Sequence, residues 1–184
     1  MPRAIEHAKA DILGTARRLM AEQGYAHLNM RTVASACGIA TGTLYNYYPS
    51  KDDIVYAVML EDWEILLAEL DARSSSATDG SDPMAALRRI FEALRVYVAA
   101  YREVWMAMAA IPEASKPDVV RSYEPTVFVR QLGSRVGDAM PRCGEEPLEP
   151  VMLQDLIVRL FTMYAMQGDF DFDRIEPALR RLTC

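Results

Sequence analysis

Apolar residues recur at helical spacing along the whole chain, and no sustained alternation of β-branched or aromatic residues with polar residues is present. This pattern predicts an all-α protein. The first helix is expected from about Ala8 to Gln23, with Gly24 at the position where a helix end favours a left-handed residue. One side of this helix is apolar and should pack into a small bundle: Ile12, Leu13, Ala16, Leu19 and Met20.

Local start and stop signals predict three more helices in the N-terminal part. Asn29 can cap a second helix, and Gly38 breaks it because a non-glycine residue resists positive φ. A short third helix covers Thr41 to Tyr48. A fourth starts after the capping residue Ser50 and can reach Ala72, which makes it long enough to connect two domains.

Helical patterns resume after a small, polar stretch over residues 74–82, which ends in an Asp-Pro pair suited to a helix start. They cover approximately residues 83–111, 120–139 and 150–167. A last short helix is expected from Asp173, with Asp173 as its cap and Glu176 as the partner in a capping pair. The C-terminal part is therefore predicted to be a helical bundle.

The net charge of −6 is unevenly distributed. Residues 1–51 contain six Lys and Arg against three Asp and Glu, and so carry +3, whereas residues 52–184 carry −9. A basic first third suits contact with a polyanion such as DNA, while the acidic remainder needs a different role. Charge therefore favours a division of labour between two parts of the chain.

Composition also limits localisation and metal chemistry. No apolar stretch approaches the length of a membrane span and no signal peptide is evident, so we expect a cytoplasmic protein without a membrane partner. Cys37, Cys143 and Cys184 lie far apart without zinc-site spacing. The run from Asp169 to Asp173 begins like a calcium loop but lacks its glycine and glutamate. We expect no metal, no cofactor and no enzymatic activity.

The segment Met30–Lys51 has the spacing of a helix-turn-helix. Gly38 and Ile39 form the turn, and Leu44 anchors the third helix against an inner face made by Val33, Ala34 and Cys37. Gly42 lets the backbone approach DNA. The outward side chains suit base edges, thymine methyls and phosphates: Thr41, Thr43, Tyr45, Asn46 and Tyr47. Packing in a small bundle is the alternative for the tyrosines, and we adopt it for Tyr48.

This segment resembles the tetracycline-repressor-like (TetR) family of transcriptional regulators. The resemblance covers roughly the first third of the chain, and it is carried by these residues: Ile12, Ala16 and Gly24, then Val33-Ala34, Ala36-Cys37-Gly38-Ile39, Gly42-Thr43-Leu44-Tyr45, Tyr47-Tyr48 and Ser50-Lys51. It implies a DNA-binding domain over 1–50, a connecting helix over 51–73 and a ligand-binding and dimerisation domain over 74–184.

The resemblance also implies roles for single residues. Arg31, Thr41, Thr43 and Asn46 would approach bases, while Tyr45, Tyr47 and Lys51 would mainly hold phosphates. Lys51 lies at the start of the fourth helix, where the helix dipole also favours an anion. Ala40 stands where the family often has serine, so Thr41 is expected to cap the third helix instead.

In the C-terminal part, an aromatic and methionine stripe is the candidate for an effector pocket. Its members are Tyr97, Tyr101, Trp105 and Met108, together with Phe128, Met163 and Met166. Either a protein core or a ligand cavity would produce such a stripe. A second apolar face is the candidate dimer interface, with an intramolecular core as the alternative: Leu153, Leu156, Ile157, Leu160, Phe161 and Tyr164.

Together these features predict a ligand-responsive transcriptional repressor. It would bind a palindromic, double-stranded operator as a homodimer, because one helix-turn-helix reads too few base pairs, and a small hydrophobic or amphipathic effector would release it. Two alternatives are an enzyme or lipid carrier with an incidental helix-turn-helix, and an activator or architectural DNA binder without a ligand.

Overall fold

The computed structural model describes residues 2–75, 82–111, 125–140, 150–168 and 170–183. Over these ranges the chain consists of α-helices, two single-turn 3-10 helices and connecting turns, with no strand in the described part. The all-α prediction is confirmed. None of the helices described is both long and apolar enough to cross a membrane.

The N-terminal elements follow the predicted order. They are α1 (Pro2–Gln23), a 3-10 turn (Tyr25–His27), α2 (Met30–Ala36), α3 (Thr41–Tyr47) and α4 (Lys51–Ser75). Compared with prediction, α1 begins earlier, α3 ends one residue sooner and α4 continues past Ala72.

The predicted breaks after α1 and α2 and the predicted cap of α2 are confirmed. Gly24 and Gly38 have φ angles of 80° and 68°, in the left-handed region that glycine adopts without strain. Asn29 begins α2 with a capping box: its side chain accepts from the Thr32 backbone N–H at 3.0 Å, and the Thr32 hydroxyl accepts from the Asn29 N–H at 3.3 Å. The breaks at Gly24 and Gly38 and the start of α2 therefore follow from local chemistry.

Two long helices also begin at predicted side-chain caps. The Ser50 hydroxyl accepts from the backbone N–H of Asp53 at 3.2 Å and donates to its carboxylate at 2.6 Å. The Asp82 carboxylate accepts from the N–H of Met84 at 3.1 Å. These caps satisfy backbone donors that a helix start leaves unpaired.

The C-terminal elements are α5 (Pro83–Ala109), α6 (Pro125–Ala139), α7 (Pro150–Gln167), a 3-10 turn (Phe172–Arg174) and α8 (Glu176–Thr183). The predicted helical residues 120–124 lie outside the described residues. Apart from that, the three predicted helical stretches are present.

The start of the last helix was predicted wrongly. Asp171, not Asp173, provides the cap, since its carboxylate accepts from the Asp173 N–H at 3.2 Å and begins the 3-10 turn. The Asp173 carboxylate is engaged elsewhere, because Arg88 pairs with both Asp173 and Glu176 at 2.5 Å. The helix proper begins at Glu176. A long-range ion pair therefore overrides the local capping pattern.

The chain separates into two compact units: residues 1–63 with 103–123, and residues 64–102 with 124–184. In the first unit, Arg17 of α1 binds two carboxylates of α4, Glu61 at 2.9 Å and Asp62 at 2.8 Å. Its core is apolar and includes Ile12, Ala16, Val33, Leu44, Ile54 and Val58. This packing fixes the helix-turn-helix against the first part of α4.

In the second unit, α6 packs along α7 and three phenylalanines form a cluster. The ring of Phe91 lies 5.3 Å from that of Phe161 and 5.8 Å from that of Phe172, and all three side chains are fully buried. The functional division at residues 50 and 73 stays a prediction.

Candidate nucleic-acid interface

The α2–turn–α3 segment has the geometry of a helix-turn-helix. Val33, Ala34 and Leu44 are fully buried, as predicted for the inner face and its anchor. The turn is closed by two backbone hydrogen bonds, from the Gly38 N–H to Ser35 at 3.1 Å and from the Ile39 N–H to Ala34 at 3.0 Å. With Leu44 fixed in the core, the opposite side of α3 must face outward.

That outward side carries the side chains predicted to meet DNA. Gly42, Thr43 and Asn46 are exposed, and Tyr45 is 51% exposed even though it is a large aromatic residue. Thr41 and Tyr47 are half-buried. Tyr48 is buried, which agrees with its interpretation as a packing residue.

A surface cleft of about 830 Å³ adjoins α3. It brings together four of the eight predicted DNA-binding residues, namely Arg31, Thr41, Tyr45 and Lys51. The other lining residues come from the start of α2 and the preceding turn: Leu28, Asn29, Met30 and Thr32. Cationic and hydroxyl groups from three elements thus meet at one place.

The expected cap of α3 is wrong. Ala40 occupies the cap position with extended backbone angles and no side-chain cap, and Thr41 is the first residue inside the helix. The backbone N–H groups of Thr43 and Leu44 both donate to the carbonyl oxygen of Ala40. Thr41 lines the cleft and does not cap the helix.

Lys51 is held against Tyr25. Its ammonium lies 4.1 Å from the centroid of the Tyr25 ring and 3.5 Å from the Tyr25 carbonyl oxygen, to which it donates. The Tyr25 hydroxyl donates to the Asp52 carboxylate at 2.8 Å, and its backbone N–H donates to Glu103 at 3.3 Å. One tyrosine therefore contacts the start of α4 and the C-terminal part of α5.

Sequence reasoning missed Tyr25 and Glu103. An aromatic residue directly after the helix-ending Gly24 was the only local signal for Tyr25. Its contact with Lys51 joins residues 26 apart, and its contact with Glu103 joins residues 78 apart. Helical periodicity carries no information at those separations.

Burial and the hydrogen bond to Asp52 raise the pKa of Tyr25 above its ordinary value. The folded state therefore favours the neutral phenol, and this contribution to stability is fully present below the ordinary tyrosine pKa of about 10 and lost as pH rises towards the folded-state pKa. We expect the stability advantage of the wild type over Tyr25→Phe to shrink above about pH 10. Urea unfolding of both proteins across that range measures it, and a constant difference would contradict the assignment.

Comparison with known proteins gives the family. Residues 12–58 match the model for bacterial regulatory proteins of the tetR family. The HTH-type transcriptional regulator UidR of Escherichia coli K12 is 37% identical over 57 residues, which are 31% of this chain and 29% of UidR. Residues 12–58 include all eight predicted DNA-binding residues. Residues 12–58 of this chain therefore form a TetR-family segment.

Solved structures extend the likeness in fold beyond the TetR segment. A transcriptional regulator FadR from Bacillus subtilis in complex with stearoyl-CoA has a TM-score of 0.62 at 14% identity, covering 95% of this chain and 97% of that chain. A regulator from Saccharomonospora viridis in complex with choline has a TM-score of 0.65 at 18% identity, covering 96% and 95%. At these identities the likeness shows the fold alone.

The candidate effector residues differ in burial. Within the second unit, Tyr97 and Tyr101 are buried with ring centroids 5.1 Å apart, and Phe128 is half-buried. Met163 and Met166 are exposed on α7. The remaining two, Trp105 and Met108, belong to the first unit, where Met108 is buried and Trp105 half-buried. As a ligand pocket, the set stays a prediction.

The candidate dimer residues divide into two groups. Leu153, Ile157 and Phe161 are fully buried within the single chain, so they occupy the alternative position, the intramolecular core. Leu160 and Tyr164 are half-buried, and Leu156, farther round the helix, is 39% exposed. Two further apolar residues of α7 are exposed and were not among the predicted dimer residues: Val151 and Met152.

Proposed function

We propose that the chain is a ligand-responsive transcriptional repressor that binds a palindromic operator as a homodimer and is released by a small hydrophobic or amphipathic effector. One observation carries this proposal: the outward face of α3 lies in the TetR segment, beside the cleft that Lys51 lines. Residues 1–50 would bind DNA, 51–73 would connect, and 74–184 would bind effector and dimerise. Such a regulator acts on DNA in the cytoplasm.

Base recognition is assigned to the exposed side of α3. Thr43 and Asn46 place short hydrogen-bonding groups on that side, and a helix can enter the major groove, where base edges are distinguishable. Arg31 and Thr41 add contacts from the cleft, while Tyr45, Tyr47 and Lys51 supply groups for phosphates. Phosphate contacts fix the register that lets the base contacts discriminate.

Dimerisation is assigned to the exposed face of α7. Met152, Leu156 and Met163 are 60%, 39% and 46% exposed and share one face of the helix, since they lie four and eleven residues apart. An apolar row of this kind is normally covered by a partner. A two-fold pairing through α7 would also present two α3 helices to the two halves of a palindrome.

Effector binding is assigned to the second unit, near Tyr97 and Tyr101. Buried aromatic rings and methionines accommodate apolar chains and cationic groups. The FadR and Saccharomonospora structures hold an acyl-CoA and choline, respectively, which fits an amphipathic or cationic molecule here as well. An effector that prefers the non-binding conformation lowers operator affinity by the same coupling free energy with which the operator opposes the effector.

The proposal is tested by selecting bound fragments from sheared genomic DNA of the source organism at low and high salt. A palindrome enriched at high salt is expected for the wild type, because specific base contacts survive when counterion-driven binding weakens. The double variant Thr43→Ala, Asn46→Ala is the matched control and should recover no palindrome. Salt-sensitive, sequence-independent binding by the wild type would reject the specific-repressor proposal.

Gly42 should give opposite effects on stability and DNA binding. Nothing lies within 4 Å of a Cβ added at Gly42, the second residue of α3, so Gly42→Ala should raise the free energy of unfolding by up to about 0.5 kcal/mol. Operator affinity should fall, because the methyl group would separate the backbone from DNA. Urea unfolding and fluorescence anisotropy measure the two effects, and a more stable variant with unchanged affinity would remove Gly42 from the interface.

A further inference from the structure

Tyr25 contacts both residues that begin α4. The Lys51 ammonium lies 4.1 Å from the Tyr25 ring centroid and 3.5 Å from its carbonyl oxygen, while the Tyr25 hydroxyl donates to the Asp52 carboxylate at 2.8 Å. Tyr25 itself sits in the 3-10 turn after Gly24, with its N–H bonded to Glu103. The ring is thus held by contacts at both its backbone and its hydroxyl.

These contacts restrict a side chain that would otherwise be mobile. A lysine is a flexible chain ending in a point charge, and a protein that uses it for a phosphate must order it on binding. The ring face and the carbonyl oxygen attract the ammonium from one side. Lys51 still lines the cleft together with Arg31 and Thr41, and its ammonium has further donors to offer a phosphate bound there.

The hydroxyl of Tyr25 has a second effect, on Asp52. A carboxylate next to Lys51 would repel a phosphate and could compete with it for the ammonium. The Asp52 carboxylate accepts from the Tyr25 hydroxyl, and this hydrogen bond fixes its orientation. The same tyrosine therefore orders the cation and restrains the neighbouring anion.

We propose that Tyr25 is a positioning residue for the operator phosphate: it holds Lys51 towards the cleft and keeps Asp52 away from it. The inference rests on the proposed DNA-binding function and adds to it a residue outside the helix-turn-helix. The ring and the hydroxyl have separate tasks, so two substitutions distinguish them. Tyr25→Phe keeps the ring and removes the hydroxyl, whereas Tyr25→Leu removes both.

The ring is tested first without DNA. In the wild type, the ε-methylene protons of Lys51 should show an upfield NMR shift from the ring current of Tyr25. The shift should persist in Tyr25→Phe and disappear in Tyr25→Leu. An unshifted lysine in the wild type, or an unchanged shift in Tyr25→Leu, would overturn the inference whatever the protein does with DNA.

DNA binding is then measured as the slope of log affinity against log salt, on the palindromic duplex recovered above and on a mixed-sequence duplex. This slope is negative. Lys51→Gln should make it shallower by about one for each protomer bound, and Tyr25→Leu should have a similar effect. The double variant should be no weaker than Lys51→Gln alone. A normal slope in Tyr25→Leu, with a reduced slope in Lys51→Gln, overturns the positioning role but leaves the proposed function intact.

Rescue separates positioning from a general structural effect. Tyr25→Phe should weaken duplex binding about threefold per protomer, as expected for one charge acting over several ångströms in water. Adding Asp52→Asn should restore the affinity, because the released side chain then carries no charge. Tyr56→Phe removes a tyrosine hydroxyl from α4, the helix that contains Asp52. It is the control and should bind the duplex normally. Failure of Asp52→Asn to restore binding would overturn the role given to the hydroxyl. If the wild type binds neither duplex, the proposed function itself fails.

Discussion

Phe161→Ala should lower the free energy of unfolding by about 3–5 kcal/mol, the range for deleting a buried aromatic side chain. Phe161 is fully buried and meets Phe91 edge-on at 5.3 Å and Phe172 at 6.1 Å. Truncation would remove contacts with both rings and leave a cavity in the second unit. Urea unfolding followed by circular dichroism measures the loss, which should be similar at low and high protein concentration because the cavity lies inside one chain.

Leu156→Ala, on the exposed face of the same helix, is the matched variant. Leu156 is 39% exposed in the single chain, so its truncation should change the stability of the monomer little. It should instead weaken self-association, measured by sedimentation. If Phe161→Ala weakened self-association and spared the monomer, Phe161 would belong to the dimer interface rather than the core.

Asn46→Ala should cause the largest loss of operator affinity among single substitutions on α3. Asn46 is exposed, and a bidentate amide contact to a base is worth about 1–3 kcal/mol. A homodimer makes the contact in both half-sites, so the expected total is roughly 2–6 kcal/mol. Anisotropy titrations on the selected palindrome and on versions mutated symmetrically at each position measure the loss and locate the base.

Asn29→Ala is the control for that experiment, because Asn29 has the same side chain in the same motif but caps α2. It should destabilise the protein by about 1 kcal/mol without altering base preference. The proposed role of Asn46 is excluded if its alanine variant loses affinity equally for every duplex, or if the position-by-position preference is unchanged.

The helix-turn-helix could be predicted because its signals are local. Gly38 needs a left-handed backbone, Asn29 and Ser50 cap the helices that follow them, and Leu44 is the apolar residue that faces back across the turn. Each signal acts within a few residues, so a pattern along the chain contains it. The exposed side of α3 follows from the anchor on the opposite side.

The faces of α7 could not be predicted in the same way. This helix has apolar residues on nearly all sides, and periodicity cannot say which side the rest of the chain covers. Phe161 is buried in the phenylalanine cluster and Leu153 is buried on the same side of the helix, while Met152 and Leu156 remain exposed. The choice depends on residues from other helices, which a single segment does not specify.

Long-range polar contacts also lie beyond local patterns. Asp173 and Glu176 have the spacing of a capping pair, yet Arg88, on α5, binds both carboxylates. Tyr25 looks like an ordinary aromatic residue after a turn until α4 brings Lys51 over its ring. In both cases one charged partner, distant in sequence, decides what a side chain does.

The two left-handed glycines of the first unit should tolerate change very differently. Their φ angles are nearly equal, but Gly24 has a ψ of 162°, a region that is essentially confined to glycine, whereas asparagine is the residue that most readily replaces glycine in the left-handed helical region. Around Gly38 a Cβ would have open space, but at Gly24 it would come within 3.1 Å of the Glu103 carboxylate that accepts from the Tyr25 N–H. A saturation library should therefore return asparagine at position 38 and glycine alone at position 24. The residues that evolution can accept at such a turn therefore depend on the neighbouring side chains as well as on the backbone angles.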